Sequence, residues 1–473
     1  MRGPAAAPTV QPVSTVLTRP VEPAETTPRR RADLVAAAVA LGLVALAITV
    51  GFLTDARLFG SAHFKNAPAR FGEYPVLGSL LPRVDPMSVV AVLVAVGVVI
   101  YGPTLAQRLR WRPLLAAGYL GSLAWIFSLS LVDGWQRGFA QRMHEYLVVA
   151  DDIPDIGAFL RTFSVRILDF QPDSLPTHVS GHPPGATLVF TWLDRLGLSG
   201  PTPAALFCVL AAGLLAVVVP VTIAALGRPD LARAALPFVV LLPGALWLGV
   251  SADAMFAAVT AAGIALLALA SSRVGWRFAA LAAAGGAVLG FGIFQSYGLL
   301  LMAPIALAVV LVSRRWTLLA LAVPAALAVA GVFALAGFWW VDGYHLVVDR
   351  YYQGIGSDRP YAYWIWANLA SLVLVVGPAT AAGLRRAVPD FLAGLPGRPR
   401  LTPVVALVRG AALAVLTADV SGLSKAEVER IWLPFAVWLV LAAALLPAAH
   451  RRWWLAAQAA TALVVGHVLL TAW

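Results

Sequence analysis

The sequence predicts an all-α fold: a polytopic bundle of transmembrane helices with one large loop outside the membrane. Three observations carry that prediction. Of 473 residues, 60% are hydrophobic and 12% charged, with a mean hydropathy of +0.83, whereas soluble domains carry roughly 25% charged residues. Apolar stretches of about 17 to 24 residues recur from Asp33 to Trp473, the length a helix needs to cross a hydrocarbon core of about 30 Å. The arginines behind the net charge of +11 fall in short clusters between those stretches, which is the positive-inside pattern. No basic stretch with interleaved aromatics lies outside the apolar runs, so nucleic acid is excluded as a partner. The lipid bilayer takes that place.

Residues 1–32 are rich in Pro, Thr and Ala and end in Arg29-Arg30-Arg31. They read as a disordered cytosolic tail whose arginines hold the first helix start inside. The membrane domain then covers 33–473, with about 13 candidate spans: 33–53, 86–105, 114–132, 203–226, 231–250, 252–270, 278–294, 297–312, 317–340, 362–384, 402–419, 431–447 and 453–473. Starting inside and alternating puts Arg108/Arg110/Arg112, Arg228/Arg233, Arg273/Arg277, Arg314/Arg315, Arg385/Arg386/Arg398/Arg400 and Arg451/Arg452 in the cytosol. The expected location is the plasma (inner) membrane, multi-pass, with a cytosolic N-terminus. The scarcity of lysine beside many arginines and alanines points to a GC-rich bacterial genome.

That alternation requires that 183–197 does not span. As a helix, Pro184 to Gly197 reaches about 20 Å, and it carries Asp194 and Arg195. It is expected as a short helix in the outer interface, with Pro183 or Pro184 in its first turn, where the missing N–H costs nothing. Leu188, Val189, Trp192, Leu193 and Leu196 are spaced to form its buried face. Residues 133–202 thereby become one external segment containing short juxtamembrane helices, beside smaller ones at 54–85, 341–361 and 420–430. Cys208 lies within an apolar run and packs as a small hydrophobe. No internal repeat argues for inverted-repeat transporter symmetry.

The long external segment holds Asp133, Glu145, Asp151, Asp152 and Asp155. A carboxylate near the membrane surface can take a proton from a hydroxyl or hold a hard cation. From spacing alone, a solvated juxtamembrane loop is the simpler reading. Arg409 lies about eight residues, roughly 12 Å, inside span 402–419, where a charge faces a cavity or snorkels to the surface. Lys425 and Arg430 at the outer mouth suit a phosphate, as point charge and bidentate fork, or else anchor the interface. Segment 341–361 mixes Arg350, Arg359 and three aspartates with tyrosines such as Tyr351. Such a mixture suits the face of a sugar and equally an interfacial aromatic belt. His182 either binds substrate or caps its helix, with the structural role preferred. The histidines are few, and no set of Cys and His with zinc-ligand spacing supports a structural zinc site.

His144-Glu145-Tyr146, followed about 37 residues later by His182-Pro183-Pro184, resembles the C-type membrane glycosyltransferases. This is the GT-C fold of protein O-mannosyltransferases and lipid A aminoarabinose transferases. In their first large external loop an acidic pair precedes an aromatic, and a His-Pro-Pro or Lys-Pro-Pro later opens a short helix. "LLPGALWLGVSADAMF" resembles the family segment in which an Asp, here Asp253, starts the next helix. "EVERIWLPF" resembles the late motif, here Arg430, Trp432 and Pro434. The resemblance runs from about Asp133 to Trp473. It departs in two places. His144 stands where the first acid is expected, so Glu145 alone matches and Asp151/Asp152 stay as alternatives. The first two helices are an addition, or the loop assignment is displaced.

The resemblance implies a hexosyl or pentosyl transferase that moves a sugar from a polyprenyl-phosphate donor at the outer face, with inversion. The acceptor is a glycan, lipid or protein of the cell envelope. Glu145, or Asp151 and Asp152, would be catalytic. Arg409, Lys425 and Arg430 would take the donor phosphate, and His144, His182, Asp253, Arg350 and Tyr351 would line the substrate. No pattern names a cofactor; a divalent metal at Glu145 or Asp151/Asp152 is chemically open to those carboxylates. The alternative is a transporter or flippase of a lipid-linked envelope precursor, with Arg409 and Asp253 as intramembrane binding groups. A third is a catalytically silent scaffolding subunit. A transporter calls for acids at the midplane, whereas this chain concentrates its acids in one external loop.

Overall fold

The structure, a computed structural model, describes residues 27–58, 74–76, 78–140, 144–354, 356–390 and 401–471. The chain opens with α1 (Thr27–Leu58), β1 (Gly78–Leu80), α2 (Pro86–Arg108) and α3 (Trp111–Ser130). The segment after α3 folds into four short helices: α4 (His144–Ala150), α5 (Ile156–Phe163), α6 (Thr177–Ser180) and α7 (Gly185–Arg195). Next come α8 (Pro201–Gly213), α9 (Leu215–Ala225), α10 (Pro229–Val240), α11 (Ala245–Leu248), α12 (Asp253–Ser271) and α13 (Gly275–Ile293). They are followed by α14 (Ala303–Ser313), α15 (Thr317–Leu335), α16 (Trp340–Gln353), α17 (Tyr361–Val376) and α18 (Pro378–Ala387). The chain closes with α19 (Pro403–Val420), α20 (Val428–Ile431), α21 (Leu433–Leu439), α22 (Arg451–Val468) and β2 (Leu469–Thr471). β1 and β2 pair antiparallel, Gly78 opposite Thr471.

Eight helical stretches are long and apolar enough to cross a membrane among the described residues, and two bent pairs would raise that to ten. The multi-pass helical bundle expected from the sequence is therefore present. Several expected runs take other forms. Where a span over 231–250 is expected, α10 has 12 residues and ends at Val240, and 297–312 is a short apolar helix entered through a tight turn at Tyr297–Met302. The run 362–384 is a helix pair bent by 105°, and the helices within 431–447 and 453–473 meet at a bend of 112°. The first bend follows from Gly377-Pro378. Gly377 takes a left-handed φ of 74°, which glycine adopts without steric cost, and the proline cannot continue the helix. Gln458 then serves the freed backbone: its Nε2 donates to the Val376 carbonyl at 2.8 Å, and its Oε1 accepts from Ala379 N–H at 3.2 Å.

Of the expected tail, residues 1–26 lie outside the described residues, while 27–32 already form the start of α1. At α2, Asp85 accepts from Met87 N–H at 2.9 Å and Ser88 Oγ accepts from Asp85 N–H at 3.0 Å, a reciprocal cap. α13 packs on α15 through Gly286 and Gly290, four residues apart. A Cβ on Gly286 would lie 2.1 Å from the Ala322 carbonyl oxygen, and one on Gly290 would lie 2.7 Å from Ala326 Cα. Small residues at this spacing let apolar helices approach where no hydrophobic drive exists between them. Cys208 is fully buried in α8.

Long-range polar contacts join segments that the arginine pattern puts on the same side. Arg83 bonds Asp133, and Arg350 bonds Asp169 at 2.7 Å, on one face. Arg385 and Arg386 both reach Asp33 on the other, Arg385 at 2.7 Å.

Candidate active site

The site is built around the start of α7. Pro184 occupies its cap position, and Gly185 follows for a steric reason. A Cβ there would come within 2.4 Å of the Phe294 carbonyl oxygen, so glycine alone lets α7 rest on the end of α13. Residues 185–191 and Leu193 are buried, whereas Trp192 and Leu196 are 42% and 75% exposed. The expected buried face thus holds at Leu188, Val189 and Leu193 but not at Trp192 or Leu196. The first two turns are enclosed on all sides, and the last turn emerges from the packing.

Just upstream, His182 Nδ1 lies 2.7 Å from the His178 carbonyl oxygen and 3.0 Å from the Tyr146 hydroxyl. A carbonyl only accepts, so Nδ1 carries the proton and Nε2 is the accepting nitrogen. The His182 ring packs on Phe256 at 5.4 Å between centroids, and Tyr146 packs on Phe190 at 5.2 Å. The two halves of the Tyr146 and His182 pattern therefore form one wall joining α4, α6, α7 and the first turn of α12. Burial pushes the His182 imidazole down against the pull of Asp253, and burial with the Arg430 charge takes His178 down to about 3. Both rings are neutral at ordinary pH. Burial and the nearby Asp253 charge also hold Tyr146 well above the usual phenol range, so it stays protonated.

Behind His178 lies a buried ionic network. Arg430 Nη1 donates to Asp253 Oδ2 at 3.0 Å, and Nη2 donates to Glu427 Oε2 at 2.9 Å while lying 3.4 Å from His178 Nε2. Arg359 Nη2 donates to Glu427 Oε1 at 2.8 Å, and its Nη1 donates to the Lys425 carbonyl at 2.6 Å. The Lys425 ammonium donates to the Gly356 carbonyl and sits over the Tyr352 and Tyr351 rings at 5.2 and 5.8 Å. Its backbone N–H donates to the Tyr351 hydroxyl at 3.1 Å. Arg359, Lys425 and Arg430 against Asp253 and Glu427 leave one excess positive charge while the neighbouring Glu429 keeps its proton, a balance suited to an anionic substrate group.

Burial alone would raise the Glu427 carboxyl, but the charges and hydrogen bonds of Arg359 and Arg430 outweigh it and hold it down at about 2. Glu429 is fully buried, and neither of its oxygens has a hydrogen-bond partner among the described residues. Burial raises it to about 7.

The turn that presents Glu427 is strained. Ala426 and Glu427 both take left-handed φ values, 67° and 61°, at a cost of order 1–3 kcal/mol each for non-glycine residues. Asn368 holds them there. Its Oδ1 accepts from Ala426 N–H at 3.1 Å, and its Nδ2 donates to the Ser424 carbonyl at 2.8 Å and to Asp419 Oδ1 at 2.9 Å.

Of the residues singled out from the sequence, His182, Asp253, Tyr351, Lys425 and Arg430 converge here. The backbone of His144 and Glu145 forms the start of α4, next to Tyr146, and their side chains lie outside the described residues. Asp151 and Asp152 occupy an exposed turn after α4. Arg350 is paired with Asp169, whose N–H also donates to Gln353 Oε1 at 2.8 Å, and this clasp ties the external segment to α16. Arg409 is half-buried within α19, about 13 Å along the helix from Ala418, the residue whose carbonyl accepts from Ser424 Oγ. Among the described residues, no three His, Cys, Asp or Glu side chains are grouped to hold a metal. His178, Asn368 and Glu427 are members the sequence reading did not select, and Arg359 entered it only as part of the segment 341–361. The available signal was the run Lys425-Ala-Glu427-Val-Glu429-Arg430, four charges in six positions of an external segment.

Fold and site together define a multi-pass helical membrane protein with a buried carboxylate–guanidinium network at one mouth of its bundle. The sequence matches no protein-family model and no curated protein. Among solved structures the chain is similar to ArnT from Cupriavidus metallidurans, in a crystal structure bound to undecaprenyl phosphate, at 19% identity and a TM-score of 0.36. The similarity covers 65% of this chain and 58% of that one, so the chain spans less than two thirds of its length.

Proposed function

We propose that this protein is a membrane glycosyltransferase that moves a sugar from a polyprenyl-phosphate donor to an acceptor of the cell envelope at the outer face. The observation that carries this reading is convergence. Tyr146, His182, Asp253 and Arg430 come from four separated stretches that read as parts of one pattern, and they meet in a single contact chain.

In this mechanism an acceptor hydroxyl attacks the anomeric carbon as the bond from that carbon to the phosphate oxygen breaks. The phosphate leaves with the electron pair, and the acceptor's proton passes to Glu145, one residue before Tyr146 on α4. A carboxylate in that role takes the proton as the new bond forms. One displacement inverts the centre. The cations needed for the growing phosphate charge are Arg430 and Lys425. Arg430 is held by two carboxylates, so the donor phosphate engages it by exchange with Asp253 or Glu427. His178 and His182, kept neutral, orient the wall and do not shuttle protons.

The test is transfer from a radiolabelled polyprenyl-phosphate sugar in membranes. Glu145→Gln is expected to reduce transfer by at least about 100-fold, the scale of a general base, and Asp152→Asn to leave it near wild type. Full transfer by Glu145→Gln sinks the assignment of the base. Label that crosses the bilayer still joined to its lipid would favour a transporter.

A further inference from the structure

The opposite end of the bundle carries a second charged site. α2 begins beside the Arg83–Asp133 pair on the side of the network, and its far end, with Gln107, borders a cavity of about 1090 Å³. Arg29, Arg30, Arg228, Arg233, Arg386 and Arg451 line this cavity, with Asp230 as the lining carboxylate among the described residues. Asp230 is already held by Arg228 at 2.9 and 2.7 Å, and Arg386 is already bonded to Asp33. Arg233 is fixed by the carbonyls of Ala106 and Leu109 at 2.6 and 2.9 Å, which aim it without cancelling its charge.

The first turns of three helices meet there: α1 through Arg29 and Arg30, α10 through Asp230 and Leu231, and α22 through Arg451. α10 and α22 have no side-chain cap, so their amino ends add positive dipole to the cavity. The remaining wall is mostly apolar, with half-buried Pro103, Leu231, Leu445 and Pro447 beside His450. A soluble anion uses the arginines but leaves this wall wet, whereas an anionic lipid uses both parts. Basic pockets between membrane helices bind phosphate head groups in this way.

We infer that this cavity binds the phosphate of an anionic phospholipid, with an acyl chain laid against Leu231 and Leu445. The site is separate from the Asp253–Arg430 network and does not depend on the activity proposed for it.

The test measures lipid retained by the full chain after extraction from mixed phosphatidylglycerol and phosphatidylcholine bilayers, read by native mass spectrometry. Wild type is expected to retain phosphatidylglycerol over phosphatidylcholine. The variant Arg30→Gln/Arg228→Gln/Arg451→Gln should lose at least about tenfold of that retention. The matched Lys variant should keep most of it. Arg273→Gln/Arg277→Gln/Arg314→Gln, on the same face but outside the cavity, should match wild type. If the triple Gln variant does not fold, single Arg30→Gln and Arg451→Gln variants carry the test, with losses of about threefold each. Undiminished retention in the cavity variants, or equal loss in the Arg273/Arg277/Arg314 variant, overturns the proposal. Binding of inorganic phosphate with no retained phosphatidylglycerol overturns the lipid assignment.

Discussion

Glu427 and Glu429 stand two residues apart in one turn and are driven in opposite directions. Glu427 is held at about 2 by Arg359 and Arg430 in spite of its burial, so its contribution to stability is present above pH 4.5 and is lost as the pH falls towards 2. Glu429 is raised from 4.5 to about 7 by burial. The unfolded chain then releases this proton first as pH rises, and Glu429 favours the folded state less and less between about 4.5 and 7. Glu429→Gln removes that term. Its melting temperature, taken relative to wild type at each pH, should rise from pH 5 to pH 8, with a gain on the order of 2 kcal/mol at the upper end. A flat difference would mean that Glu429 is solvated.

Asp253→Asn should do the reverse. It leaves a buried guanidinium with one carboxylate instead of two, at a cost on the order of 3 kcal/mol, readable by thermal unfolding in detergent. The sequence made Lys425 and Arg430 visible because a charge beside an apolar run is conspicuous, and Asp253 through the resemblance of its segment. It did not make Glu427 or Arg359 visible as partners, since that pairing spans 68 positions and depends on backbone conformation.

The strained turn at Ala426-Glu427 belongs to the scale of elements, because α17 and α19 jointly hold it through Asn368, Asp419 and Ser424. Asn368→Ala should cost about 1–3 kcal/mol by leaving the Ala426 N–H and Ser424 carbonyl without a partner. It should also depress transfer beyond the loss of folded protein, because Glu427 no longer faces Arg430; an unchanged specific activity would separate the turn from the site. On α13, Gly290→Leu should force the helix off Ala326 of α15 and cost at least about 1–3 kcal/mol, checked by the same melts. The bend between α17 and α18 was readable in Gly377-Pro378, yet the apolar run through it suggests one straight span. Hydropathy measures how apolar a run is, not its direction. Short helices such as α4, α6 and α7 show their prolines and histidines in the sequence. The seating of α7 on the end of α13 depends on Gly185 touching Phe294, which no local pattern encodes.

At the scale of the whole molecule, the clusters of arginine and the contacts between distant segments agree on two faces. One carries the acidic and aromatic site, and the other carries the arginine-lined cavity. Single cysteines placed in a Cys208→Ala background test the sidedness. A membrane-impermeant maleimide applied to intact cells should label Asp173→Cys and spare Ser272→Cys, both at exposed positions; the opposite pattern would invert the topology.

The central claim is that the bundle breaks a sugar–phosphate bond at its acidic face. It is tested most directly with purified protein in proteoliposomes and a polyprenyl-phosphate sugar labelled separately in sugar and lipid. The two labels should part, with sugar passing to an added envelope acceptor and free lipid phosphate accumulating in equal amount. Labels that stay joined while crossing the bilayer would contradict the account.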